Sequence, residues 1–243
     1  MKKKLDIIFE DAHLIIVAKP PHVLAIPDRH EVEKPNVLTM LRKQFGEVFT
    51  VHRIDKETSG VMVFARNEFT HKELSLQFQN RHVKKVYTAL VDGTMTNQTG
   101  VIDAPLLNNL ASSGKVVVNR SGKPCETHYE VIEQFRDYAL VEFDLKTGRT
   151  HQIRAHALHI GHPLMTDKIY GKREEFMLSS VKRKKYSAGK NQVERPLLSR
   201  SSLHASHLTF MHPDTKKVVS FTAELPKDMR ATVAQLRKWN FLR

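Results

Sequence analysis

Three observations predict an α+β fold for this sequence. Apolar runs of strand length come in pairs joined by short polar turns, other stretches carry apolar residues at helical spacing between cap signals, and the two kinds do not alternate regularly. The 243 residues, 40% hydrophobic and 27% charged, have ordinary globular composition and enough length for one large domain or two small ones. The chain has no internal repeat and no low-complexity block.

Ile7 to Phe9 and Leu14 to Ala18 form a predicted β-hairpin whose second strand stops at Pro20-Pro21. Asn36 caps a helix with Leu38, Leu41 and Phe45 on one face, and Gly46 ends it. Val48 to Val51 and Val61 to Ala65 are strands flanking the polar segment HRIDKETSG, where Thr58, Ser59 and Gly60 offer a tight turn. Glu68 to Gln79 is a helix with Phe69, Leu74, Leu76 and Phe78 as its apolar positions, and Val83 to Val91 is a strand ending at Asp92-Gly93. A second hairpin pairs Glu126 to Glu133 with Tyr138 to Leu145. The spacing of Ile153, Ala157 and Ile160 predicts a helix over Thr150 to Ile160. Residues 171–200 are polar, basic and poorly periodic, and are expected to form a basic surface insertion or arm. Leu203 to Met211 and Val218 to Ala223 are late strands, and Pro226 at the first helical position opens a last helix bearing Met229, Val233 and Leu236.

Lysine and arginine number 39 against 26 acidic residues, a net charge of +13. That excess favours a polyanionic partner, nucleic acid ahead of an anionic membrane. Leu14 to Ala18 falls far short of the roughly 20 apolar residues that cross a bilayer, so no membrane span is expected. The opening MKKK is like the basic end of a signal peptide, but Glu10 and Asp11 interrupt the apolar residues behind it, which predicts a cytoplasmic protein. Cys125 is the single cysteine, so neither an intrachain disulfide nor a thiolate metal cage can form within one chain.

His151, His156, His159 and His162 lie within twelve positions. His156 and His159 share a helical face, but no carboxylate or third histidine completes a closed ligand set, and no metal is expected. Neither G-x-x-x-x-G-K-[ST] nor G-x-G-x-x-G occurs, so no nucleotide cofactor is expected. Three polar concentrations remain. HRIDKETSG sets Asp55 among Arg53 and Lys56, where a carboxylate stays ionised; the same pattern fits a surface loop with ordinary charge pairs. Arg149-Thr150-His151-Gln152-Ile153-Arg154 sits at a helix start, where amides and cations can hold phosphate, or where a solvated first turn would look the same. Tyr87 in KKVYTALV is an aromatic on a strand edged by lysines, placed either to pack or to stack on a nucleobase.

HRIDKETSGVMVFARN, KKVYTALVDG and LKTGRTHQIRAHALHIGHPLMTDKIYG closely resemble, in this order, the successive motifs of the RluA-type family of RNA pseudouridine synthases. LHASHLTFMHP and VSFTAELP resemble that family's C-terminal sheet. The resemblance runs from the first hairpin to the last helix. It implies the pseudouridine synthase catalytic fold, a mixed, largely antiparallel central sheet with flanking helices and a central catalytic cleft. Many longer members carry a small N-terminal RNA-binding domain. Here the first motif begins after only 51 residues, so residues 1–243 are expected to be a single catalytic domain without one. Ile54 replaces the commoner Leu, and Thr166 stands where Gly often precedes the Asp.

The implied reaction breaks the N1–C1′ bond of a uridine, turns the bound uracil and joins C5 to C1′, with no redox step and no cofactor. Charge of oxocarbenium type develops on the ribose as the base departs, which suits a carboxylate beside C1′. The resemblance makes Asp55 that carboxylate; attack at C1′, attack on the base and removal of the C2′ proton are all open. It further implies that Arg154 pairs with Asp55 and that Tyr87 stacks on the uracil. Arg53 would fill the space left by the flipped nucleotide, while Arg149 and His151 hold phosphate. Asp103, Asp144 and Asp167 have no assigned role and stand as comparison carboxylates. The implied substrates are uridines of ribosomal and/or transfer RNA, with the enzyme acting as a monomer. A noncatalytic RNA-binding or ribosome-assembly protein is the competing class, but it has no use for an acid amid phosphate-binding cations. A metal-free ribonuclease lacks the paired-histidine motif it would need.

Overall fold

Strand-forming runs open the chain, and the order of elements follows the apolar pattern closely. The computed structural model describes residues 5–28, 31, 33–108, 114–187 and 193–242; the opening MKKK, Lys190 and the side chain of Lys184 lie outside them. The hairpin is β1 (Asp6–Glu10) and β2 (Leu14–Lys19), followed by α1 (Val37–Phe45), β3 (Phe49–Thr50), β4 (Ser59–Ala65), α2 (Glu68–Gln79) and β5 (Lys84–Asp92). Then come β6 (Thr99–Asp103), β7 (Leu106–Asn108), β8 (Val116–Val118), β9 (Glu126–Gln134), β10 (Tyr138–Leu145) and α3 (Gln152–His159). The chain ends with α4 (Leu178–Lys182), a turn of tight helix at Arg183–Lys185, β11 (Leu203–Met211), β12 (Val218–Thr222) and α5 (Lys227–Trp239). Among the described residues no helix is long and apolar enough to cross a membrane.

Local chemistry sets the helix ends. Asn36 accepts the Thr39 N–H at 2.8 Å, and Gly46, at φ 78°, donates to the Arg42 carbonyl at 3.1 Å. Asn67 caps α2 in the same way through Thr70. Of the four apolar positions of α2, Leu74 is buried and Phe78 packs beside the core, whereas Phe69 and Leu76 are 54% and 42% exposed. Phe69 and Leu76 share one side of the helix, about 140° round from Leu74, so the helix cannot bury both sets against one sheet.

The chain divides into two compact units, Met1–Tyr87 with His204–Glu224, and Thr88–Leu203 with Leu225–Arg243. Sequence predicts one domain over residues 1–243; the division has no linker composition to mark it, since the chain passes between units inside β5, at the start of β11 and between Glu224 and Leu225. In the first unit the strand order is β1-β2-β4-β11, with β3 also on β4 and β12 on β11. Every pairing there is antiparallel except β4 with β11, which is parallel through Ser59↔His204 and Gly60↔Ala205. All of β4 is buried, with Ile15, Val17, Val63, Leu208 and Phe210 in the surrounding core. In the second unit the order is β5-β10-β9-β6, with β10/β9 and β9/β6 antiparallel and β7/β8 a separate small ladder. This is a mixed, largely antiparallel α+β fold. The strands β6, β7 and β8 are absent from the sequence reading because β7 and β8 have only three residues each, and in β6 the two apolar side chains, Val101 and Ile102, are adjacent and show no alternation.

Three local expectations are corrected. Ser59 and Gly60 do not turn the chain; they begin β4. Pro226 is the N-cap of α5 and lies outside its first turn. Residues 171–200 are not a surface arm along their length, since Phe176, Val181 and Leu198 lie in the core of the second unit. Arg200, 1% exposed, is clasped by Asp228 at 2.6 and 3.0 Å and donates to the carbonyls of Ser201 and Leu203 at 3.0 and 3.2 Å. A charged residue in a basic run reads as surface, yet a guanidinium with a carboxylate and two carbonyls can be buried.

Gly60 has φ 125°, and a Cβ there would lie 2.1 Å from the Ala205 carbonyl oxygen, while Gly46 at φ 78° faces open space. Gly46→Ala should therefore cost about 1 kcal/mol from backbone strain alone, and Gly60→Ala about 3 kcal/mol or more from strain plus displacement of β11. Urea denaturation of both variants checks this; equal losses would contradict the close approach of the two strands.

Candidate active site

The segment between β3 and β4 is built around anchors on both flanks of Asp55. Before it, His52 stacks on Phe78, with ring centres 4.7 Å apart, and its Nε2 accepts the Val63 N–H at 3.1 Å. An accepting Nε2 requires a neutral ring. Burial first, and the Lys85 ammonium second, lower the His52 pKa to about 3. After it, the Lys56 carbonyl receives both the Lys19 ammonium at 3.1 Å and the His22 N–H at 2.9 Å. Lys19 is 1% exposed and also donates to the carbonyls of Pro20 and Val23, at 3.0 and 2.7 Å. Three carbonyls replace its water, and they tie the loop after β2 to the residue next to Asp55. Ser59 bonds His204 Nδ1 at 2.9 Å while His204 Nε2 donates to the Ala223 carbonyl at 3.0 Å, which closes the far end.

Between these anchors Ile54 is buried, Asp55 is half-buried and Arg53 is exposed. Arg53 makes no ion pair among the described residues. Tyr87, half-buried on β5, has its phenol pKa pushed up by burial and then by the negative charge of Asp55. The negative charge of Asp55 in the first motif thus acts, after burial, to favour the protonated phenol of Tyr87 in the second.

Arg149, His151 and Arg154 lie in the second unit. The helix starts at Gln152, two residues later than expected, because His151 takes a left-handed conformation with φ 53°. Gln152 is buried with all its bonding capacity used. Its Oε1 accepts from Thr147 Oγ1 (2.7 Å) and the Arg149 N–H (3.0 Å), and its Nε2 donates to the Glu126 carbonyl (3.0 Å) and Thr127 Oγ1 (2.9 Å). Thr127 in turn donates to His156 Nδ1 at 2.9 Å, and His156 Nε2 donates to the Ala104 carbonyl at 2.9 Å. The His156 pKa is lowered, chiefly by burial, so this histidine is a neutral structural bridge.

Arg154, 6% exposed, is held in a fork by Asp167, Nε to Oδ2 at 2.6 Å and Nη2 to Oδ1 at 2.8 Å, and its guanidinium lies 5.1 Å from the centre of the Tyr170 ring. Asp167 also accepts the N–H groups of Ile169 and Tyr170 at 2.8 and 3.0 Å. Burial opposes its ionisation, but Arg154 and these amides outweigh it and hold the carboxyl below its usual value. The Tyr170 hydroxyl accepts the Val116 N–H at 2.8 Å and lies 3.1 Å from His151 Nδ1. Arg149 is exposed. Sequence reasoning missed Lys19, Asp167 and Tyr170. The place of Asp167 inside the third motif, LKTGRTHQIRAHALHIGHPLMTDKIYG, was the available signal for it, and it cannot serve as a neutral comparison carboxylate.

Residues 13–159 match the family model described as RNA pseudouridylate synthase. The chain is 36% identical over 237 residues to "Ribosomal large subunit pseudouridine synthase D" of Zymomonas mobilis subsp. mobilis, covering 93% of this chain and 71% of that protein. It is 35% identical over 221 residues to "Dual-specificity RNA pseudouridine synthase RluA" of Escherichia coli K12, covering 90% and 92% respectively. The solved structure of human RNA Pseudouridylate Synthase Domain Containing 4 superposes with TM-score 0.74 at 22% identity, over 96% of this chain and 93% of that one, a likeness of fold. The chain belongs to the RNA pseudouridylate synthase family. It is an RNA pseudouridine synthase of the RluA type, an isomerase whose substrate is RNA.

Two predictions follow from the anchors. The folded pKa of His52, about 3, lies below the roughly 6.5 of an unfolded histidine. The unfolded chain therefore takes up this proton first. Stability from His52 is whole above about pH 6.5 and is lost as pH falls toward about 3. His52→Gln keeps an acceptor but does not titrate, so its urea midpoint should fall less than that of the wild type between about pH 7.5 and pH 4.5. Asp167→Asn leaves a buried guanidinium without its anion and should cost about 3 to 5 kcal/mol, against about 0.5 kcal/mol or less for the exposed Asp103→Asn. Thermal melts compare the two, and equal shifts would remove Asp167 from its structural role.

Proposed function

We propose that this enzyme converts uridine to pseudouridine in ribosomal RNA of the large subunit, with Asp55 as its essential carboxylate. The assignment of Asp55 is carried by its place in the first family motif, on a segment anchored on both flanks, and its negative charge helps to raise the pKa of Tyr87. An anion beside a protonated, half-buried aromatic offers both a partner for developing positive charge at C1′ and a face on which uracil can stack while it turns. Arg53, exposed on the same loop and outside any ion pair among the described residues, is the side chain offered to the space vacated by a flipped nucleotide. Arg149 and His151 supply cationic and polar contacts for phosphate at the start of α3, and Arg154, buried and forked to Asp167, is a positioning residue. The ribosomal assignment is supported by the name of the Zymomonas relative, a ribosomal large subunit pseudouridine synthase. A cytoplasmic site of action agrees with that substrate and with the free thiol of Cys125.

Large-subunit ribosomal RNA and transfer RNA, each free of modification, are incubated with wild type and with Asp55→Asn, and new pseudouridines are mapped. Wild type should modify the ribosomal RNA in preference. Asp55→Asn should lower turnover by on the order of 10³-fold while binding RNA at least as well, because a negative charge near phosphate is gone. Full activity of the variant would remove Asp55 from its role, and modification of transfer RNA alone would overturn the substrate assignment.

A further inference from the structure

Around α5 the charged residues fall into two groups. The arginines are matched with acids: Arg237 with Glu133 at 2.8 Å, Arg183 with Asp137 at 3.2 Å, and Arg136 with Asp137 at 3.7 Å. The lysines are not. Lys182 at the end of α4, Lys185 in the turn that follows and Lys238 in the last turn of α5 belong to no ion pair among the described residues. All three ammonium groups instead converge on one ring, 5.1, 5.8 and 5.2 Å from the centre of Trp239.

The indole attracts each cation through its π-face, but three like charges on one ring repel one another, and no carboxylate among the described residues forms an ion pair with them. Trp239 is itself anchored: it packs beside the core of the second unit, and its Nε1–H donates to Gln235 Oε1 at 3.1 Å. The result is a fixed aromatic ring surrounded by cations that lack an anion. Phosphodiester with an adjacent base supplies both missing parts, negative charge for the lysines and a π-face for the indole. An acidic polypeptide would neutralise the lysines but offer no base to stack on the indole.

We propose that Lys182, Lys185, Lys238 and Trp239 form an RNA-backbone contact separate from the catalytic residues, through which this pseudouridine synthase grips its substrate. The proposal rests on the RNA-modifying reading above and extends it to a part of the chain to which that reading gives no role. None of these residues takes part in the chemistry.

The test is the dependence of affinity on KCl concentration, measured with a transcript of large-subunit ribosomal RNA. Each single-stranded phosphate contact contributes about 0.7 to the slope of log affinity against log salt. Lys182→Gln, Lys185→Gln and Lys238→Gln combined should therefore flatten the slope by about two units, and the three arginine substitutions together should restore it. Lys43→Gln, Lys72→Gln and Lys217→Gln combined remove the same charge from exposed sites elsewhere and should leave most of the slope intact. Single-turnover pseudouridine formation at saturating RNA should be unchanged in the glutamine triple. A slope equal to that of the control triple overturns the proposal, as does loss of chemistry at saturation. An unmoved RNA slope with lost binding to polyglutamate would assign the patch to an acidic protein and also overturn it. Absence of pseudouridine with the wild type would count against the catalytic reading alone, because the salt slope is measured by binding.

Discussion

Where β4 runs beside β11, the backbone of Gly60 comes so close to Ala205 that a Cβ would lie 2.1 Å from its carbonyl oxygen. That approach makes possible the parallel pairing of β4 with β11 and brings Ser59 within bonding distance of His204. It also fixes where β4 begins, and so where the segment carrying Asp55 must end. The other side of that segment is held by the Lys19 ammonium on the Lys56 carbonyl and by the ring of His52 on Phe78. The backbone of Asp55 is thereby determined on both sides, the preorganisation on which the role proposed for this carboxylate relies.

The motif richest in polar residues is, for the most part, committed to holding itself together. Gln152, Thr127 and His156 form one continuous chain of bonds from Thr147 to the Ala104 carbonyl, and every donor in it has an acceptor. Such a network is costly to leave half-made in a buried setting, so it specifies one placement of α3 against β9. Arg154 is then fixed by Asp167 and Tyr170, while Arg149 remains at the surface. Chemistry-bearing residue types one turn apart can therefore have opposite duties, and accessibility separates them.

The net charge of +13 is not spread evenly in its consequences. Arginines near acids, such as Arg200 with Asp228 and Arg173 with Asp92, are used inside the fold. Lysines and a few exposed arginines carry the unneutralised excess, which steers a polyanion toward the protein without specifying a sequence.

Much of the fold was legible in the residues. The first hairpin, the Asn36 and Gly46 caps of α1, the span of α2 and the full length of β11 all follow from apolar period and cap chemistry, which are local and need no knowledge of neighbours. The order of the three motifs, with Asp55, Tyr87 and Arg154 in them, was equally legible, because a family's motifs are themselves a linear record. What sequence could not supply was partnership across long separations. Arg200 reads as one more basic residue until Asp228 is found beside it, Asp167 reads as a spare acid until Arg154 closes on it, and Gly60 reads as a turn until β11 arrives. Lys182 and Lys185 read as part of a basic surface arm, with nothing to tie Lys238 to them, until all three point at Trp239. Local propensity is set by neighbours along the chain, whereas the burial of a charge, the closeness of two backbones and the pairing of an ion depend on distances in space that tertiary packing alone determines.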